Sequence, residues 1–125
     1  MEKKIKILIV EDESLVARWL DMELSAKGFD VCGLVATGEE AIEIAKQEKP
    51  CIILMDINLA GNIDGIDAAR SIIDGYDVGI IFMTAYSEKK MMDRIESTQS
   101  IGFISKPVEI KYILDIIEDS YLSKN

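Results

Sequence analysis

The stretch Ile5-Lys6-Ile7-Leu8-Ile9-Val10-Glu11-Asp12 governs how the rest of the chain is read: a short, strongly apolar run breaks off at a pair of acids. The same event recurs three times. Cys51 to Met55 ends at Asp56, Val78 to Met83 at Thr84, and Ile101 to Ser105 at Lys106. Apolar runs of this length with polar ends read as strands of one parallel sheet, and Val78 to Met83, apolar nearly throughout, as one covered on both faces. Strands joined by crossover helices all end on one edge, so Asp12 and Asp56, 44 positions apart, become neighbours there. Carboxylates, a hydroxyl and an ammonium group then share one pocket. Such a set suits a divalent cation and a phosphoryl group.

Between the runs lie helical patterns. Val16, Leu20 and Leu24 recur every four residues, which predicts a helix from about Ser14 to Lys27 stopped by Gly28. Phe29 to Val35 reads as a second strand. Thr37 followed by Glu40 is a capping-box pattern for a helix that turns Ala41, Ile42 and Ala45 inward and ends before Pro50. A polar loop from Ile57 to Asp64 leads to a third helix, with Ile66, Ala69, Ile72 and Ile73 on one face and Gly75 at its end. The segment Ser87 to Gln99 has only Met91, Met92 and Ile95 as apolar anchors, so its helix is expected to be the least firmly held. Ile110, Ile113, Leu114, Ile117 and Tyr121 mark a terminal amphipathic helix. Five strands alternating with five helices define a doubly wound α/β fold with a parallel sheet.

The chain has 125 residues, enough for one core and one domain, 1–125. A formal net charge of -9 opposes contact with nucleic acid or anionic membrane, so neither is expected as a direct partner. No run approaches the ~20 apolar residues of a membrane span and no signal-peptide core is present, which points to a cytoplasmic protein. Cys32 and Cys51 lack metal-ligand spacing and the chain has no histidine, so both are expected as buried, reduced thiols.

The acidic pair Glu11-Asp12, Asp56 within Leu-Met-Asp-Ile-Asn-Leu, Asp64-Gly65, Thr84-Ala85 and Lys106-Pro107 stand in one order over nearly the whole length. In this the chain resembles the receiver domains of two-component response regulators. The resemblance implies the flavodoxin-like strand order 2-1-3-4-5. It implies that Asp56 is the phosphoacceptor, taking a phosphoryl group from a sensor histidine kinase or a histidine phosphotransfer protein. Mg2+ would be held by Asp12 and Asp56 directly, by the backbone carbonyl of Asn58, and by Glu11 through a water. Lys106 would clamp the phosphoryl group, Thr84 would donate a hydrogen bond to it, and Phe103 would act as the aromatic switch residue. The output would be a change in the face made by the fourth helix, fifth strand and fifth helix, read by a downstream protein. A cis Lys106-Pro107 bond is implied as well, and Asn58 and Tyr86 would influence the water that hydrolyses the acyl phosphate. The chain would thus be a regulatory module that supports its own phosphorylation and autodephosphorylation, not a conventional enzyme. Two departures stand out: the loop Leu59-Ala60-Gly61-Asn62-Ile63-Asp64-Gly65 carries alanine where proline is frequent and one extra residue, and Phe103 replaces the commoner tyrosine.

Charge physics supports the metal independently. Two unit charges ~4 Å apart repel by roughly 4 kcal/mol at an effective dielectric of 20, so clustered carboxylates need a cation. Oxygen-only ligands favour a hard ion such as Mg2+. Two other aspartate- or fold-based readings fit less well. A haloacid-dehalogenase-type phosphatase places its nucleophile after the first strand with a second aspartate two residues on, whereas Asp56 ends the third run and is followed by Asn58. A flavodoxin-like cofactor module needs a phosphate cradle after the first strand, where Glu11-Asp12-Glu13-Ser14 would repel phosphate.

Overall fold

A computed structural model describes residues 4–85 and 89–123. Its elements alternate without interruption: β1 (Lys6–Val10), α1 (Ser14–Ala26), β2 (Asp30–Val35), α2 (Gly38–Glu48), β3 (Ile52–Asp56), α3 (Gly65–Ile73), β4 (Gly79–Thr84), α4 (Lys89–Glu96), β5 (Gly102–Ser105) and α5 (Ile110–Ser123). The strands form one five-stranded sheet in the order β2-β1-β3-β4-β5. Every pairing is parallel. The doubly wound architecture expected from the alternating pattern is the one adopted.

Instead of the one core expected from length, alternate residues of the central strands feed two, because a sheet covered on both faces separates them. Leu8, Val10, Ile53, Met55, Ile80 and Phe82 pack with α2, α3 and Ile95 of α4. Ile7, Ile9, Ile52, Leu54, Ile81 and Met83 pack with α1 and α5 through Leu20, Leu24, Ile113 and Ile117. A strand with both faces covered cannot alternate polar and apolar residues, which is why β1, β3 and β4 read as unbroken apolar runs. No helix among the described residues is long and apolar enough to cross a membrane.

The strand boundaries differ from the sequence reading in a way that matters for the site. Asp56 and Thr84 are the last residues of β3 and β4, not the first residues beyond them, because their backbones still pair, Asp56 with Met83 and Thr84 with Ser105. Their side chains are therefore set by the sheet itself. At the other end Ile5, Phe29, Cys51, Val78 and Ile101 fall just outside the strands.

The cysteine expectation is corrected. Cys51 precedes β3 and is exposed, and Cys32 is only half-buried, both as free thiols. β2 is an edge strand, and its register with β1 slips between Ile7 and Leu8, which opposite pair with Val31 and Gly33 and leave Cys32 between them. Burial, helped by the charge of Glu48, pushes the Cys32 thiol up.

Local signals explain the helix ends. Thr37 caps α2 by accepting from the Glu40 N–H at 3.1 Å, Asp64 caps α3 by accepting from the Asp67 N–H at 2.9 Å, and Gly28 leaves α1 with φ +94. In α4, Ile95 is buried and Met91 and Met92 pack on the core, the sparse anchoring that the apolar pattern implies. Tyr86 and Ser87 lie outside the described residues.

Gly65 is required by contact. A β-carbon there would collide with the carbonyl oxygen of Asp56 and press on Ile57 Cα, backbone atoms that have nowhere to go. Gly75, by comparison, has only the Ile72 carbonyl at 3.4 Å beside its notional β-carbon. Gly65→Ala is expected to cost about 2 kcal/mol or more of unfolding free energy through displacement of the β3 terminus. Gly75→Ala is expected to stay within about 1 kcal/mol of the parent. Urea denaturation of both variants checks this, and equal midpoints would contradict the backbone contact.

Candidate functional site

The carboxyl-terminal edge of the sheet gathers the residues that the apolar runs point to. Glu11, Asp12 and Asp56 each offer a carboxylate oxygen within 4.8 Å of the others. Glu11 and Asp56 are buried, at 2% and 1% exposure, while Asp12 is exposed. Lys106 reaches in from beyond β5, its Nζ 3.1 Å from Asp56 Oδ2 and 3.1 Å from Glu11 Oε1. One ammonium group thus bridges two buried carboxylates.

Backbone geometry fixes each partner. The Glu11 N–H donates to the Val35 carbonyl at 2.9 Å, prolonging the β1–β2 ladder by one bond. The Glu13 N–H donates to Glu11 Oε2 at 3.1 Å, turning that carboxylate back into the pocket. The Asn58 N–H donates to Asp56 Oδ1 at 3.1 Å, so the Asp56 carboxylate is held on one oxygen by backbone and on the other by Lys106. The Lys106 N–H donates to the Thr84 carbonyl at 2.8 Å, which ties the ends of β4 and β5 together. The Lys106-Pro107 bond is cis.

The electrostatics follow from burial against charge. Burial pushes the Asp56 carboxyl up to about 7, with the hydrogen bond and negative charge of Glu11 acting in the same direction and Lys106 opposing. Burial would raise Glu11 also, but hydrogen bonds from Asp56, the Glu13 N–H and Lys106 outweigh it and hold Glu11 below its usual value. Asp12 is raised by partial burial and by Glu11. For Lys106 the hydrogen bonds to Asp56 and Glu11 overcome burial and lift it further, so it is charged throughout the working range.

This pocket fits a hard cation. Its donors are all oxygens, and Glu11 Oε1 is buried without an aligned hydrogen-bond donor among the described residues, although Lys106 Nζ lies within ion-pair distance. A buried carboxylate oxygen faced only by one off-line ammonium keeps acceptor capacity, which a cation or its bound water would use.

The remaining predicted residues divide. Thr84 is buried at the end of β4 beside the pocket, at 2% exposure. Phe103 is away from it, on β5 opposite Phe82, and is 41% exposed. Tyr86 is outside the described residues. Trp19 on α1 is half-exposed and lines a cavity with Lys106 and Pro107. What sequence reasoning missed is the polar support around the pocket. Asp64 caps α3, and its second partner, Arg94, lies 30 positions away with Nη1 2.7 Å from Asp64 Oδ2. No periodicity announces such a pair.

Comparison with known proteins agrees with the geometry. The family model of the response regulator receiver domain matches residues 7–118. The transcriptional regulatory protein PdtaR of Mycobacterium tuberculosis is 32% identical over 113 residues, covering 90% of this chain and 55% of the relative. The phyllosphere-induced regulator PhyR of Methylorubrum extorquens is 34% identical over 116 residues, covering 92% of this chain and 43% of the relative. The chain therefore spans about half the length of these relatives. Among solved structures, the signal receiver domain of a modulated diguanylate cyclase from Desulfovibrio desulfuricans G20 superimposes with TM-score 0.90 at 34% identity, covering 98% of this chain and 97% of that one. From the edge pocket, the strand order and these matches together, the chain belongs to the receiver domain family of two-component response regulators.

Proposed function

We propose that residues 1–125 act as one receiver domain, a phosphoaccepting switch in which Asp56 takes a phosphoryl group from the phosphohistidine of a sensor histidine kinase or histidine phosphotransfer protein. The observation that carries this reading is the Asp56 carboxylate itself: 1% exposed, held by Lys106 at 3.1 Å and by the Asn58 N–H at 3.1 Å, with two further carboxylates alongside. An Asp56 oxygen attacks phosphorus, the phosphorus–nitrogen bond of the donor breaks, and its electron pair returns to the imidazole, leaving an acyl phosphate. Lys106 neutralises charge on the transferring oxygens and holds the carboxylate in line. Bound Mg2+, on Asp12, Asp56 and the Asn58 carbonyl with Glu11 acting through a water, would supply further charge neutralisation of the phosphoryl oxygens. Thr84 donates its hydroxyl to the product phosphoryl group. Phe103 turns inward in response, and the α4-β5-α5 face changes shape for a downstream protein. Asn58 and Tyr86 tune hydrolysis, so the module resets itself without being a conventional enzyme. A cytoplasmic setting and the absence of direct nucleic-acid or membrane contact belong to the same reading, supported by the net charge of -9.

Incubation with Mg2+ and acetyl phosphate tests this directly. Intact mass is expected to show one labile phosphoryl adduct on the parent protein and none on Asp56→Asn, with NMR shifts spreading from Asp56 to Phe103 and α4. An adduct that persists on the variant would remove Asp56 from the role.

The shared ammonium yields a second test with a definite sign. Without Lys106, Glu11 and Asp56 face each other uncompensated, and ionising both becomes costlier. Because the folded pair then holds its proton more tightly than the unfolded chain, the cost of the substitution grows as pH rises through about 7. Lys106→Ala is expected to lose about 2 kcal/mol relative to the parent at pH 8, and less at pH 5.5. Mg2+ at pH 8 should restore part of the loss by mass action. Urea melts in the three conditions check this; a loss independent of both pH and Mg2+ would contradict the shared-charge arrangement.

A further inference from the structure

Two arginines bind α3 and α4 to each other in opposite senses. Arg94 of α4 forks onto the first residue before α3, with Nη1 2.7 Å from Asp64 Oδ2 and Nη2 3.2 Å from Asp64 Oδ1, and Nη2 also lies 3.4 Å from Asp67 Oδ1. Arg70 of α3 returns the contact just past the same, C-terminal end of α4, one turn beyond Arg94, with Nε 3.2 Å from Thr98 Oγ1 and Nη2 2.9 Å from Ser97 Oγ. The two clamps differ in what they hold. Arg70 ends on hydroxyls that cap the chain leaving α4, whose oxygens in turn donate to the Arg94 carbonyl. Arg94 ends on Asp64, the residue that caps α3 and directly precedes Gly65.

From Asp64 the path to the phosphoacceptor is short and stiff. The next residue, Gly65, donates its N–H to the Ile57 carbonyl at 2.9 Å and lies backbone against backbone on Asp56 and Ile57. Among the described residues, only the short Asp64 side chain stands between the Arg94 fork and the backbone contact on the end of β3. A shift of α4 that drags Asp64 must therefore act on the Asp56 backbone, and a change at Asp56 must act on α4. The clamp coexists here with an outward Phe103, whose parallel partner Phe82 belongs to the core that α4 covers.

Resting on the phosphoacceptor reading above, we propose that Arg94 is a positioning residue: its fork on Asp64 holds α4 and the Asp56 loop in the arrangement with Phe103 outward, so that filling the site and freeing α4 are coupled. The pair is suited to a switch because it is a partly exposed one, with 35% and 30% of the two side chains accessible. Such a fork biases an equilibrium without freezing it.

The test measures beryllofluoride affinity in the presence of Mg2+ by fluorine NMR for the parent, Arg94→Ala, Asp64→Asn, the double variant and Arg70→Ala. Asparagine caps a helix as well as aspartate, so Asp64→Asn removes the ion pair while keeping the cap. Arg94→Ala and Asp64→Asn are each expected to raise affinity about two- to fivefold, the range open to one exposed fork, with the double variant no higher than either. The Phe103 ring resonances of unliganded Arg94→Ala should move toward their liganded positions, and Arg70→Ala should match the parent in both readouts. Unchanged affinity in Arg94→Ala overturns the coupling, as does an equal gain in Arg70→Ala, which would mean general loosening of α4. A parent protein that takes up no beryllofluoride overturns the phosphoacceptor reading, and the coupling with it.

Discussion

Everything in this molecule turns on one bridging ammonium group. Lys106 stands 3.1 Å from two buried carboxylates that carry like charge and face the same pocket. Without a cation, like charges ~4 Å apart would repel by roughly 4 kcal/mol at an effective dielectric of 20, a large part of the stability of a small domain. With one lysine against three acids the pocket stays electron-rich. It is stable enough to persist and charged enough to attract a further cation.

The fold exists to make that meeting possible. Parallel pairing of β1, β3, β4 and β5 brings Glu11, Asp56, Thr84 and Lys106 to one edge, and two apolar cores, one on each face, hold the strands in register. The edge is then finished by single backbone bonds: Glu11 to Val35, Ile57 to Met83, Lys106 to Thr84. Each is a strand-type bond made one residue past the strand or at its last residue. The site is thus an extension of the sheet, with the precision of the sheet, even though its residues border loops.

Much of this was legible in the sequence, for identifiable reasons. Apolar runs buried on both faces are conspicuous, so β1, β3 and β4 announce themselves, while the edge strand β5 is betrayed by its apolar run despite an exposed face, and the polar residue closing each run marks the edge where the pocket lies. Caps are local, so the Thr37–Glu40 cap could be read where it stands. Burial at the sheet margins could not, because it depends on what lies alongside: Cys51 has an apolar neighbourhood in sequence but an open one in space, and Cys32 sits where β2 slips its register on an uncovered edge. The strand ends were misjudged by one residue at Asp56 and Thr84, since backbone pairing leaves no trace in side-chain polarity. Long-range polar pairs were invisible for the same reason. Arg94 and Asp64 are ordinary surface residues until the fold brings them together.

The most direct measurement of whether this edge is a cation site is paramagnetic broadening by Mn2+, which binds oxygen-rich Mg2+ sites and relaxes nearby nuclei. In backbone amide spectra titrated with small amounts of Mn2+, the expected result is selective loss of signals from residues 11–13, 56–58 and 84–85, reversed by excess Mg2+. Loss centred on the exposed acids of α1, α2 or α5, or uniform broadening with no Mg2+ competition, would contradict the edge pocket as the functional centre.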